Sequence, residues 1–92
     1  MQNRFEARWA SRERADLLKR TGRLGEALVL DTFNGFIVVQ PRGSNLADGK
    51  MLSADEADYE LQPVWFLGPI AKLREARRRL GLEVEQPVSS GA

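Results

Sequence analysis

Two spacings of hydrophobic residues alternate along the chain, and each is typical of one kind of element. No Gly or Pro interrupts the segment from Asn3 to Arg20, and Gly22 follows it as a stop signal. Phe5 and Trp9 lie four positions apart, the spacing that places two side chains on one helix face. The pattern predicts an N-terminal helix over 3–20.

The strongest local signal is a β-hairpin. Two runs rich in β-branched and aromatic residues, 26–33 and 36–40, are joined by Asn34-Gly35, a dipeptide that tolerates positive φ at both turn positions. A two-residue turn there predicts that Phe33 pairs with Phe36. This register gives one apolar sheet face, made of Leu28, Leu30, Ile37 and Val39.

The segment after the hairpin has two interpretations. Apolar residues over 59–67 predict a third strand, interrupted by Pro63. Ser53 and Glu56 have the spacing of a capping box, which instead favours a short helical turn over 54–58.

A C-terminal helix is predicted over 69–80. Pro69 suits the first helical position, and Gly81 follows the last one. The predicted class is α+β in the order α-β-β-(β)-α, with a small antiparallel sheet packed on one face by the N-terminal and C-terminal helices. We expect one domain over 1–85 and a disordered tail over 86–92.

Composition removes several function classes. The 92-residue chain has no Cys and no His, so thiolate nucleophiles, zinc-thiolate sites and Ser-His-Asp machinery are excluded. The acidic group Asp55, Glu56, Asp58 and Glu60 has no matching acidic partners, and we interpret it as a solvated or partner-facing segment. We therefore predict no enzyme, no catalytic residue, no metal and no cofactor.

No membrane partner and a cytoplasmic location are predicted. No run of the chain approaches the roughly 18 apolar residues of a membrane span, and its first residues lack the apolar core of a signal peptide.

The formal net charge of +1 conceals strong segregation of charge. Residues 1–25 carry a net +4, residues 26–69 a net −5 and residues 70–92 a net +2. On the predicted helices the exposed basic residues are Arg4, Arg8 and Arg12 at the N-terminus, and Lys72, Arg74, Arg78 and Arg79 at the C-terminus.

Three explanations of this segregation stay open. The acidic middle could neutralise the basic ends within the fold or across a homodimer. A basic face could dock on an acidic surface of a larger protein or nucleoprotein complex. Direct binding of nucleic acid is the third, although a pI of 8.2 is low for a dedicated nucleic-acid domain.

The hairpin offers an apolar anchor for a partner. Val29, Phe33, Phe36 and Val38 fall on the second face of the sheet, which two helices on the first face would leave open. We therefore add Phe33 and Phe36 to the seven basic residues as candidate partner-binding residues.

These patterns favour a non-enzymatic interaction protein, a small regulator or inhibitor that sterically blocks a surface of a larger complex. Phage or mobile-element anti-defence proteins, anti-CRISPR proteins among them, are often compact domains of this sort, which is an analogy of size and architecture. The alternative is a small DNA- or RNA-binding regulator that uses its basic helices.

Overall fold

An antiparallel three-stranded sheet in the order β1-β3-β2 forms the middle layer of the protein. The computed structural model describes residues 3–22 and 25–82. Within them the elements are β1 (Phe5–Ala10), α1 (Arg12–Thr21), β2 (Leu28–Thr32), β3 (Gly35–Pro41), α2 (Ala54–Glu60) and α3 (Ile70–Arg79). The α+β class is confirmed, but the order is β-α-β-β-α-α.

The predicted helix over 3–20 is wrong in its first half. Residues 5–10 form β1, which pairs with β3 so that Trp9 lies opposite Ile37. Phe5, Ala7 and Trp9 alternate with polar neighbours, and this period of two places them on one sheet face. The four-residue spacing of Phe5 and Trp9 is common to both patterns, and pairing with a distant strand decides between them.

The first helix begins only after Ser11, which makes hydrogen bonds with both Arg14 and Asp48. Its hydroxyl accepts a hydrogen bond from the Arg14 backbone N–H at 3.0 Å, the bond of an N-cap. Asp48 in turn accepts from the Ser11 N–H at 2.8 Å and from the hydroxyl at 2.7 Å. The predicted stop is confirmed, because Gly22 ends the helix with φ of 68°.

The hairpin exists, but its register is shifted by two residues from the predicted one. Thr32 pairs with Gly35, and Leu30 pairs with Ile37, so the turn residues are Phe33 and Asn34. The Thr32 hydroxyl stabilises this turn, since it donates to the Gly35 carbonyl at 2.8 Å and accepts from the Asn34 N–H at 3.1 Å. A shift of two residues keeps the strand residues on their predicted faces, whereas Phe33 moves out of the strand into the turn.

Helices cover both faces of the sheet, which corrects the prediction that two helices cover one face. The larger core lies under α2 and α3 and includes Leu30, Ile37 and Leu73. The smaller core lies under α1 and is formed by Ala15, Leu18, Ala27, Val29 and Val38. The second sheet face is therefore closed by α1, and the expectation that it is open to a partner is wrong.

The expected third strand over 59–67 is also wrong, and the helical alternative is confirmed. α2 begins after Ser53, whose hydroxyl accepts from the Glu56 N–H while the Glu56 carboxylate accepts from the Ser53 N–H. Only one bridge, between Thr32 and Phe66, links the following segment to β2.

The C-terminal helix is confirmed as α3, with Leu73 and Ala76 buried on its inner side. The predicted tail over 86–92 lies outside the described residues, and the single domain over 1–85 stays a prediction.

Candidate interaction surface

Large apolar side chains are exposed together at the hairpin end of the molecule. Phe33 in the turn is 67% exposed, and Val64 in the loop after α2 is 65% exposed. Tyr59, Leu67 and Ile70 are each about half exposed. We call these five residues the hairpin-end surface: Phe33, Tyr59, Val64, Leu67 and Ile70.

Backbone hydrogen bonds hold the two chain segments of this surface side by side. The Phe33 N–H donates to the Trp65 carbonyl at 2.9 Å, and the Leu67 N–H donates to the Asp31 carbonyl at 2.9 Å. The Asn34 amide donates to the Glu60 carboxylate at 2.8 Å and so ties the turn to the end of α2. The exposed side chains are thus carried by an anchored backbone.

Trp65 supports the surface from within. Its ring lies 5.7 Å from the Tyr59 ring, centroid to centroid, in a tilted arrangement. Its indole N–H is buried and has no hydrogen-bond acceptor among the described residues. A buried donor without an acceptor costs free energy.

The charged residues of α2 are all acidic. Residues 53–69 contain four carboxylates and no Lys or Arg. Asp58 pairs with Arg77 at 2.8 Å, but the other three have no ion pair within 3–22 and 25–82. These three are Asp55, Glu56 and Glu60.

Of these three carboxylates, Glu60 is the one that contacts the hairpin turn. Glu60 holds Asn34, the neighbour of Phe33 in the turn. Asp55 and Glu56 lie one helical turn earlier, near the start of α2, where Ser53 and Ala54 line a groove with Phe5 and Leu80.

The three N-terminal arginines do not share a helix face, because Arg4 precedes β1, Arg8 lies within it and Arg12 begins α1. Arg4 lies 3.8 Å from Glu26. Arg8 lies 3.4 Å from Glu6 and also donates to the Gly49 carbonyl at 2.9 Å. The prediction that all three lie exposed on one N-terminal helix is therefore wrong.

The two candidate phenylalanines have different environments. Phe33 is exposed, whereas Phe36 is half-buried beneath two cations. The Arg12 guanidinium lies 5.6 Å and the Lys19 ammonium 5.7 Å from the Phe36 ring centroid, within the range of cation–π attraction. The Phe36 ring is thus already in contact with two cations of the same chain. Phe33 is the more accessible anchor for a partner.

The basic residues of α3 fall into two groups. Arg78 and Arg79 both bind Glu75. Their hydrogen bonds hold the pKa of the Glu75 carboxyl below its ordinary value, and the same contact raises the pKa of Arg78. Lys72 and Arg74 have no carboxylate partner in the described part of the chain.

Ion pairs connect the basic ends of the sequence to its acidic middle. Besides Arg4–Glu26 and Arg77–Asp58, the Lys19 ammonium lies 3.0 Å from the Asp31 carboxylate. Part of the charge segregation is therefore neutralised within the fold, as the first of the three explanations expects.

A groove of about 570 Å³ lies at the C-terminal end of α3. It is lined by both signs of charge, with Arg4, Arg78 and Arg79 beside Glu26 and Glu75. Arg79 also donates to the Glu26 carbonyl. The arginines are engaged by neighbouring acceptors, and the groove offers no unopposed cation cluster to an anion.

Searches for other kinds of site were negative within the described residues. No group of three or more Asp or Glu residues could hold a metal ion there, and no helix there could cross a bilayer. No family model, curated protein or solved structure matches the chain.

Sequence reasoning found Phe33 but missed the other four residues of the hairpin-end surface. The sequence pattern predicts a strand over 59–67 and a helix over 69–80, and neither prediction marks these residues as exposed. Pro63 was the signal against a strand, because Pro cannot donate to a sheet ladder.

Proposed function

We propose that this protein is a non-enzymatic interaction protein that binds a larger protein or nucleoprotein complex through the hairpin-end surface. One observation carries the proposal: five large apolar side chains are exposed at one end of a small fold. Contiguous exposed apolar surface is costly in water and usually marks an interface. A bound chain of this size would act sterically, as a regulator or inhibitor.

The chemistry of the residues supports this role. Phe33 and Tyr59 offer large rings with few rotatable bonds, and aromatic residues dominate the binding energy of many interfaces. The hydrogen bonds from Phe33 to Trp65 and from Asn34 to Glu60 already order the backbone beneath them. The backbone therefore loses little conformational entropy on binding, which favours affinity.

Nucleic-acid binding is supported by a narrower observation. Lys72 and Arg74 on α3 have no carboxylate partner among the described residues, whereas Arg78 and Arg79 share Glu75. Phosphate binding through α3 would weaken steeply with salt, because each neutralised phosphate releases counterions. A gel-shift titration at about 50 mM salt that gives no complex would remove this alternative.

The proposal is tested by affinity capture with matched variants. Phe33→Ser and Leu17→Ser each remove an exposed apolar side chain, but Leu17 lies on α1, across the sheet. We expect one stoichiometric partner complex to be captured by the wild type and by Leu17→Ser, and at least tenfold less by Phe33→Ser, as roughly expected for a central anchor.

Equal capture by Phe33→Ser and the wild type would contradict the proposal. Circular dichroism of each variant checks that the fold is retained. An inhibitor of phage or mobile-element origin and a cytoplasmic location stay predictions, which the identity of the captured complex would decide.

A further inference from the structure

We infer that the outer face of α3 takes an acidic segment of the partner protein, in which Asp or Glu side chains lie beside apolar ones. The inference rests on the proposed function and names the chemistry of its partner. The observation behind it is a groove of about 350 Å³ that places the exposed Ile70 beside Arg74 and Arg78. We call it the outer α3 groove, and Ala71 and Glu75 also line it.

The outer α3 groove has an apolar end and a basic end. Ile70, Arg74 and Arg78 follow one another at intervals of four positions, the spacing that places side chains on one helix face, and all three are exposed. Ile70 belongs to the hairpin-end surface, so the groove extends that surface along α3. A partner that contacts Ile70 therefore meets Arg74 one helical turn further on, about 6 Å away.

Arg74 is available to a partner. No carboxylate pairs with it within residues 3–22 and 25–82, whereas the Glu75 carboxylate is already bound by Arg78 and Arg79. Two guanidinium groups and one carboxylate line the groove, so its net charge is positive. An incoming carboxylate can accept two parallel hydrogen bonds from the Arg74 guanidinium, the strong form of such a pair.

The same arrangement disfavours two other occupants. Nucleic-acid phosphates would bind Arg74 but would leave Ile70 without an apolar partner and would meet the Glu75 carboxylate with like charge. A symmetric dimer through this groove would bring two net positive grooves together. A segment with both an apolar side chain and a carboxylate satisfies both ends of the groove, and opposite charge also accelerates encounter.

The probe for this inference is a fluorescein-labelled helical peptide of about four turns, in which Leu and Glu are four positions apart. A peptide with Lys in place of Glu tests the charge, and one with Ser in place of Leu tests the apolar contact. We expect the Leu/Glu peptide to shift the backbone amide NMR signals of Ile70, Ala71 and Arg74. Its affinity should fall as salt is raised, and each of the other two peptides should bind about tenfold more weakly.

Two charge variants separate the groove from the overall charge of α3. Arg74→Gln removes the available cation of the groove. Lys72→Gln removes an equal charge from the same helix, and Lys72 does not line the groove and has no carboxylate partner in the described part of the chain. We expect about a fivefold loss of peptide affinity for Arg74→Gln and less than about twofold for Lys72→Gln.

Two apolar variants make the same comparison for Ile70. Ile70→Ser and Leu17→Ser each truncate a partly exposed apolar side chain of a helix, but Leu17 lies on α1, across the sheet. We expect about a tenfold loss of peptide affinity for Ile70→Ser and less than about twofold for Leu17→Ser. Circular dichroism checks that every variant keeps the fold.

Four results would overturn the inference: equal binding of the Leu/Glu and Leu/Lys peptides, equal affinity of the two charge variants, peptide-induced shifts confined to residues outside the groove, or self-association that Ile70→Ser abolishes. A short DNA duplex that shifts the same amides, and that both charge variants weaken equally, would also overturn it. If the captured native partner is lost with Phe33→Ser but kept by Arg74→Gln, the proposed function stands and the acidic-partner inference fails.

Discussion

Gln40 shows how one buried side chain fixes the path of a loop. The residue is fully buried, and its amide nitrogen donates to Glu6 at 2.9 Å and to the Ser44 carbonyl at 2.8 Å. Its amide oxygen accepts from the Ala47 N–H at 3.1 Å. A buried amide is tolerated only when it is hydrogen-bonded, so these contacts favour a single course for the chain after β3.

The Glu6 carboxylate in this network makes stability depend on pH. Burial raises its pKa, but hydrogen bonds from Gln40 and Arg8, the charge of Arg8 and the Gly43 N–H outweigh burial and leave the pKa below the ordinary 4.5. A carboxyl whose pKa is lower in the folded state stabilises the fold above its unfolded pKa. That contribution is lost as the pH falls through the folded pKa.

We therefore expect Glu6→Gln to lower the free energy of unfolding at neutral pH by about 1 kcal/mol. The difference from the wild type should shrink as the pH falls below about 4.5, because protonation removes the same charge from the wild type. Urea titrations at pH values from about 7 down to about 3 measure both. A difference that stays constant with pH would contradict the assignment.

At the level of elements, the C-terminal helix and the existence of the hairpin could be predicted because their signals are local. Pro69, Gly81 and Asn34-Gly35 each act within a few residues. β1 could not be predicted in this way, because its strand conformation depends on pairing with β3, some thirty positions later in the chain. The exposure of Tyr59 and Val64 likewise depends on how α2 packs in the fold. The residues next to them in the sequence do not predict that packing.

The two-residue shift in the hairpin has a structural reason at Gly35. This residue has φ of +144°, and a Cβ atom there would lie 3.0 Å from Cζ3 of the Trp9 ring. Gly35 is therefore needed as the first residue of β3, because the Trp9 ring lies against it. The turn accordingly falls one position earlier than predicted, on Phe33 and Asn34.

We expect Gly35→Ala to destabilise the fold by about 3 kcal/mol, since it combines an unfavourable φ with a steric clash. Gly43→Ala is the matched control, because Gly43 also has positive φ, +86°, but no atom lies within 4 Å of its added Cβ. The control should cost only about 1 kcal/mol. Equal losses in urea denaturation would show that the contact with Trp9 does not matter.

For the whole molecule, the central position of β3 joins the two cores. Val38 faces the smaller core under α1, and its neighbours Ile37 and Val39 face the larger core under α2 and α3. Both edges of the sheet are also covered in part, since the Leu52 N–H donates to Ala7 and the Leu67 N–H donates to Asp31. Loss of either core would expose one face of β3. The other core would then lose stability, because β3 supplies residues to both cores.

We accordingly expect a single cooperative unfolding transition. Trp9 packs against the larger core and Trp65 contacts Tyr59 of α2, so tryptophan fluorescence reports on that side. Far-ultraviolet circular dichroism reports on every element. Val38→Ala, placed in the smaller core, should lower stability by about 2 kcal/mol in both signals. If the dichroism midpoint shifted and the fluorescence midpoint did not, α1 would unfold separately and the shared-strand argument would be wrong.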